Sequence, residues 1–391
     1  MAAEVVRLPL RLSRGARVAT PLTTQFDFAL VGRPVAPLSA RLLVGAQRQQ
    51  VLVDVRRLTP PDESDQRVEL AWIALGDHTE AWLEVDLAPA ADAPAAWAFP
   101  LVQWTPQPGA VLDATIEGRL VARYHYAPVG GKPFLHPLLG PAGVALTGMG
   151  HPAGAEGRLH QHGVWLAHRD LNGVNFWEDR PGQGRQRHLA IGRLDDGPVS
   201  ASAEAVLAWE TPEEHRLLTE HRTWRLWALP NSESALDLTT TLRAGDTAVR
   251  LGRTPFGLLG VRVGRTMTAE RGGAILTATG DRGEGEALHR RARWCDYSGP
   301  VAPGVWNGIA VLDHPANLDH PCPWQVRDDG WLGPAPCYEA EHLLAPGAEL
   351  TLRYRLLTHG SSLTPDLLDE HSEGFADPPT VTWGRPEVVA L

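Results

Sequence analysis

Six of the sixteen histidines, His125, His136, His151, His160, His162 and His168, fall between positions 125 and 168. The densest run is His160-Gln161-His162-Gly163-Val164-Trp165. On a strand, His160 and His162 would project from one face. Imidazole titrates near neutral pH and offers both a donor and an acceptor, so such a pair could serve one substrate or ligate one metal. The other reading is a polar strand face turned to solvent.

Three further segments carry candidate chemistry. Asn172-Gly173 is a tight-turn signal, yet with Trp177 it also provides an amide and an indole suited to sugar hydroxyls and sugar faces. Trp294-Cys295-Asp296-Tyr297-Ser298-Gly299 is followed by a proline-stiffened stretch with Asp313, His314, Asn317, His320 and Trp324. Loops of that kind often carry sites, although Asp313 and Asn317 could simply cap turns. Last, Glu339 and Glu341 share a face if their segment is extended. Buried, one of them would have a raised pKa suited to base work; exposed, they are a solvated edge.

The elements that must position these groups read mostly as strands. Apolar residues alternate at Val6, Leu8, Leu10 and Leu12, at Val51, Val53 and Val55, and at Leu83, Val85 and Leu87. The pattern recurs at Leu236, Leu238 and Leu242 and from Leu350 to Leu356. Strands with one wet face belong to antiparallel sheets. The clearest helix signal is Thr364-Pro365-Asp366, a capping Thr with Pro at the first helical position. Glu213 to His221 could be helical, but the alternation at Trp224, Leu226 and Ala228 favours a hairpin. The expected fold is therefore an all-β antiparallel sandwich with few short helices. The Ala/Pro-rich tract from Ala88 to Ala96 suggests a boundary, giving an N-terminal β region over 1–115 and a large β-sandwich over 116–391.

Composition removes several classes of function. The chain has 391 residues, with 36 Lys and Arg against 46 Asp and Glu, a net charge of −10. That balance, without a long basic run, argues against nucleic acid as a partner. Three cysteines without C-x-x-C spacing suit a reducing compartment. The arginine-punctuated N-terminus has no apolar core of a signal peptide, and no stretch approaches the ~18 apolar residues of a membrane span. The protein is thus expected to be soluble and cytoplasmic, with no membrane partner. There is no P-loop, dinucleotide fingerprint, G-x-S-x-G elbow or H-E-x-x-H.

Several motifs resemble a known family. Tyr124-His125-Tyr126, Lys132-Pro133-Phe134-Leu135-His136-Pro137-Leu138, Pro141, Gly143 and the His160–Trp165 stretch are similar to the PmoA-like family of unknown function. So are His168, Asn172-Gly173, Phe176-Trp177, the Trp294–Gly299 motif, and Asp313-His314-Pro315 with Asn317, His320-Pro321 and Trp324. The resemblance runs in order over roughly residues 120–360. Where that family carries Asp-His-Pro ahead of its paired histidines, this chain has Gly157-Arg158-Leu159, so one imidazole is lacking and His136 is the best third candidate. The family's customary label is a methane oxygenase subunit; a membrane subunit of that kind needs spanning helices, for which no segment here is long and apolar enough.

The resemblance implies a β-rich fold akin to the galactose mutarotase supersandwich, in which histidines and a carboxylate line a sugar-binding sheet face. Glu339 or Glu341, shortly before Pro346-Gly347 and the last strong strand, looks similar in position to the mutarotase base. The expected activity is acid–base chemistry on a sugar or keto-sugar. His160 or His162 would donate to a ring or glycosidic oxygen, and Glu339 or Glu341 would take a proton. His136, His168, Asn172, Trp177 and Asp296 would help to hold the sugar. Asp313, His314, Asn317, His320 and Trp324 would complete its contacts. Two alternatives stand beside this one. One is a non-catalytic sugar-binding module; the other is a metal-dependent enzyme with His160, His162 and a carboxylate as ligands of a divalent ion. No organic cofactor is expected, and the expected partner is a small-molecule carbohydrate.

Overall fold

The apolar alternation seen in the sequence is realised as a set of antiparallel sheets. The computed structural model describes residues 4–27, 36–57, 67–88, 101–129, 131–150, 160–361, 363–385 and 387–390. Most of the Ala/Pro tract, together with His151 and Gly157-Arg158-Leu159, lies outside the described residues. The backbone divides into two units. The first comprises Met1–Val102, Asp196–Ser200 and Glu373–Leu391; the second comprises Gln103–Asp195 and Ala201–Ser372. The break therefore falls at Val102 where composition suggested 115, and the last residues return to the first unit. They do so because Val381–Trp383 and Glu387–Ala390 both pair with Glu4–Leu12.

In the first unit, Val6, Leu8 and Leu10 of Glu4–Leu12 are buried together with Leu22, Leu70, Trp72 and Leu83. This is the inward face that period-two patterning requires, each large side chain contributing about 1.5–3 kcal/mol when taken out of water.

The second unit contains two eight-stranded antiparallel sheets. One runs from Trp324–Arg327 through Trp331–Pro334, Gly257–Arg262, Val164–His168, Phe134–Leu138 and Arg119–His125 to Val111–Ile116 and Val102–Gln107. The other is built around the long strands Arg216–Ala228, Ser234–Ala244 and Glu349–Gly360. Glu213–His221 is thus the turn and rising strand of a hairpin. The helix Pro365–Ala376 begins where the Thr364 Oγ1 accepts the Leu367 N–H at 3.4 Å.

The sheets face each other across a core that includes an ionised network. Tyr124 of the first sheet meets Trp224 of the second edge-on, with ring centroids 6.0 Å apart. Beside them the fully buried Arg222 and Glu220 form a bidentate pair at 2.7 and 3.0 Å. Glu220 also accepts from Trp209 Nε1 at 2.7 Å and from Thr240 Oγ1 at 2.8 Å, and Arg222 donates to the Tyr124 hydroxyl at 3.2 Å. These partners satisfy the charges that burial would otherwise penalise.

Because side chains alternate, the neighbours of Tyr124 point to the opposite face of the first sheet. Cross-strand register places His125 opposite Phe134, Phe134 opposite Trp165 and Trp165 opposite Gly260. Gly260 is what lets the indole lie flat there: a Cβ on it would stand 2.5 Å from Trp165 Cζ2. The outer face of this sheet therefore carries a row of rings, and the candidate site is built on it.

Candidate functional site

An aromatic cluster of Phe134, Trp165, Trp177 and Trp331, with Phe256 packed against it, covers this face. Trp177 lies 5.5 Å from both Trp165 and Trp331 and 5.8 Å from Phe256. Phe256 and Trp331 are stacked, 5.4 Å apart and tilted by 7°. Trp177, Phe256 and Trp331 form the floor of a cleft of about 290 Å³. Its rim carries His160, Gln161, Arg169, Glu178, Gln325 and Arg327.

Local chain chemistry sets each rim group. Gln325 and Arg327 are two apart on the strand Trp324–Arg327 and so share a face, and Trp331 is the cross-strand partner of Arg327. Asn175 builds an Asx turn, its Oδ1 accepting from the N–H of Trp177 at 2.8 Å and of Glu178 at 3.3 Å. That turn presents Trp177 to the floor and Glu178 to the rim. Glu178 is held by Arg180 at 3.3 Å. Gln161 is buried, and its Oε1 accepts from Arg262 Nη1 at 3.3 Å, while Arg262 is itself anchored to Asp329 at 3.1 Å. Arg169 lies over the Phe256 ring at 5.1 Å.

His160 and His162 do not share a strand face. Residue 160 lies in a turn, His162 makes an isolated bridge to Met149, and the strand begins only at Val164. Gly163, which leads into that strand, has a left-handed φ of 54° and a Cβ position that would run into the Leu135 carbonyl. His160 consequently stands at the cleft, edge-on to Trp177 with centroids 6.4 Å apart. His162 instead packs on Phe134 at 4.9 Å and lies 3.8 Å from Asp179 Oδ2.

A lysine whose charge acts on His160, and which shares Asp179 with His162, had no local signal in the sequence. Lys132 is 2% exposed and donates to the Trp177 carbonyl and to Asp179 Oδ2, each at 2.9 Å. Burial lowers its pKa, opposed by Asp179. His160 is pushed down to about 4, first by burial and then by the Lys132 charge, with Asp179 and Glu178 pulling the other way. It is therefore neutral at pH 7 and available as an acceptor or a base.

The other sequence candidates have separate positions. His136 neighbours His162 electrostatically, is lowered in pKa mainly by burial, and has its Nδ1 at 3.0 Å from Thr147 Oγ1. His168 is fully buried in its strand, its Nε2 at 3.0 Å from the Gly252 carbonyl, and burial lowers it to about 4. Asn172 sits in the turn with φ 51° and bonds across to the backbone of Ala248 and Arg250.

The Asp313 cluster ties its loop together and to the strand Glu349–Gly360. Asp313 accepts from Asn317 Nδ2 at 2.8 Å and meets His320 Nδ1 at 2.8 Å, while Asn317 Oδ1 accepts from the Arg353 N–H at 2.7 Å. His314 Nδ1 accepts from the Ala316 N–H at 3.0 Å, and Trp324 donates its indole N–H to the Ala292 carbonyl at 2.8 Å. Asp296 is paired with His359 at 2.9 Å. Burial lowers the His359 pKa, but Asp296 and the Gly360 carbonyl outweigh it, and the net shift is upward. None of these residues lines the cleft.

Neither do Glu339 and Glu341. Glu339 pairs with Arg291 at 2.6 Å and Glu341 with Arg250 at 3.3 Å, and both side chains are more than half exposed, at 56% and 59%. The carboxylate at the cleft is Glu178. Of the expected set, only His160 and Trp177 belong to its lining. Arg169, Gln161, Phe256, Gln325, Arg327 and Trp331 had no local signal, since isolated Arg, Gln and aromatic residues read as ordinary surface or core. Among the described residues no three His, Cys, Asp or Glu side chains come together as a set that could hold a metal ion. No helix among them is long and apolar enough to cross a membrane.

Fold and site together define a class: an antiparallel β-sandwich protein with a ring-floored cleft on the outer face of one sheet. Within that class the chain belongs to a family of unknown function, DUF6807, whose pattern matches residues 111–373 and so spans every residue of the cleft. No curated protein matches the chain.

Proposed function

We propose that the cleft takes a carbohydrate and that His160 moves a proton on it. The observation that carries this reading is the floor of Trp177, Phe256 and Trp331 ringed by amides, a carboxylate and an imidazole. Flat rings cover the apolar faces of a sugar, while a few converging polar groups fix its hydroxyls. His160 is deprotonated at neutral pH and half-buried, so it accepts a proton from a hydroxyl or from carbon beside a carbonyl. Glu178 and Asp179 stabilise the imidazolium that results. A single base that accepts and returns a proton suits an isomerase or a lyase acting on a sugar or keto-sugar. The resemblance of the motifs to PmoA-like proteins and to mutarotase-type sandwiches supports the same substrate class.

A second reading, a non-catalytic sugar-binding module, is favoured by one specific observation. Glu339 and Glu341, the carboxylates expected as the base, are engaged in exposed ion pairs outside the cleft. The test is to titrate mono- and disaccharides against the intact protein by tryptophan fluorescence and to follow each bound sugar by proton NMR in deuterated water. Deuterium entering the sugar, or a changed anomeric ratio, that is lost in His160→Ala supports the enzyme. Binding without conversion leaves the module. The absence of binding by any sugar rejects both.

A further inference from the structure

The rim of the cleft is unequal in donors and acceptors. Gln161, 3% exposed, must turn its Oε1 toward Arg262, because a guanidinium only donates; its NH2 is left on the other side. Gln325, 6% exposed, has its Oε1 at 2.8 Å from His289 Nε2 and accepts there from the tautomer protonated at Nε2. Neither amide nitrogen has a protein partner among the described residues. Arg327 is held through its Nε by Glu284 at 3.1 Å. Its guanidinium reaches the cleft lining as well. Arg169 has only the Phe256 ring beneath it and no carboxylate partner among the described residues. Against these donors stand two acceptors, His160 and Glu178, and the second is already held by Arg180.

A neutral sugar does not match such a rim. Each hydroxyl both donates and accepts, so several hydroxyls need acceptors in similar number to donors, and a buried amide N–H left unmatched is costly. A ligand rich in acceptor oxygens does match it. Resting on the carbohydrate reading above, we infer that the sugar carries a carboxylate, as in a uronic acid, bound by Arg169 and Arg327 while its ring lies on Trp177 and Trp331. The planar guanidinium fork fits a carboxylate in two parallel hydrogen bonds, and the aromatic floor leaves room for a pyranose face rather than for a bare inorganic anion. The charge is local, since the chain as a whole carries −10.

The experiment compares matched ligands on the intact protein by calorimetry: the methyl glycosides of glucuronate and galacturonate, those of glucose and galactose, and glucose 6-phosphate. At least one uronate is expected to bind about tenfold or more tightly than its neutral counterpart, and the preference should shrink as salt is raised. In Arg169→Gln, an exposed position whose folding is checked by melting temperature, the ratio of acid to neutral affinity should fall about tenfold. Equal affinity for neutral and acidic sugars would overturn the carboxylate inference while leaving the carbohydrate reading intact. Tighter binding of the phosphate than of either uronate would also overturn it. If no sugar of any charge binds, the carbohydrate reading itself is lost, and the inference with it.

Discussion

Lys132 Nζ lies 2.9 Å from Asp179 Oδ2, and that same oxygen lies 3.8 Å from His162 Nδ1. One carboxylate thus serves a buried ammonium and an imidazole. A pair of this kind is weak support for stability as such, but removing one partner strands the other in a poor solvent. Lys132→Met is expected to cost on the order of 3 kcal/mol in urea unfolding, with part of the loss recovered in the Lys132→Met/Asp179→Leu double variant. The same substitution removes a charge that depresses His160. Its imidazole pKa, followed by NMR, should rise from about 4 toward its ordinary value. An unmoved titration would mean that burial alone sets it.

His168 makes the fold sensitive to acid. Its pKa is ordinary when unfolded and lowered to about 4 by burial when folded, so between those values the unfolded chain binds more protons. Stability therefore rises with pH across that window and falls on acidification from about pH 6.5 toward 4. A shift of that size corresponds to roughly 3 kcal/mol once fully developed. His371, also lowered to about 4 by burial, acts in the same direction. Denaturant unfolding at pH 7 and at pH 5 measures the slope. Flat stability over that interval would contradict the burial argument.

Gly260 is required for close approach. Its alanine variant brings a methyl to 2.5 Å from Trp165 Cζ2, and the indole must shift. Overpacking of this kind costs about 1–3 kcal/mol. Because Trp165 backs Trp177, Gly260→Ala should also shift the tryptophan emission and weaken binding of whatever ligand the cleft takes. An unchanged emission spectrum would show that the cluster adapts without moving its floor.

Glu339→Gln and Glu341→Gln provide the opposite control. Each breaks an exposed ion pair outside the cleft, and exposed pairs contribute little. Melting temperature and ligand affinity are both expected to stay where they are. A large loss of sugar conversion in either variant would return the base to the place that the family resemblance suggested.

The strands were readable where one face is wet and the other dry. Val6, Leu8 and Leu10, or Leu352, Tyr354 and Leu356, announce themselves by alternation and are buried as expected. The helix at Pro365 was readable because Thr364 and the proline specify its first turn locally. The cleft was far less legible. It assembles Arg169, Phe256 and Arg327 from segments that only sheet register brings together, and nothing in their immediate neighbours marks them. Glu178 stood beside Trp177 in plain view, but the turn that presents it depends on the side chain of Asn175. The expectation that His160 and His162 share a face failed because residue 160 lies in a turn and the strand begins only at Val164, a boundary that alternation does not mark. The division of the chain was misjudged because composition cannot show a sequence returning to a sheet it left long before.

That return has a consequence for how the protein is made. The strand Glu4–Leu12 finds two of its neighbours in Val381–Trp383 and Glu387–Ala390, which are synthesised after the whole of the second unit. At a synthesis rate of about 5–20 residues per second, the first strand waits tens of seconds, while the second unit is made, with one side still lacking those neighbours. An unpaired strand edge is a template for joining the wrong chain, so the nascent first unit is where a chaperone has most to protect.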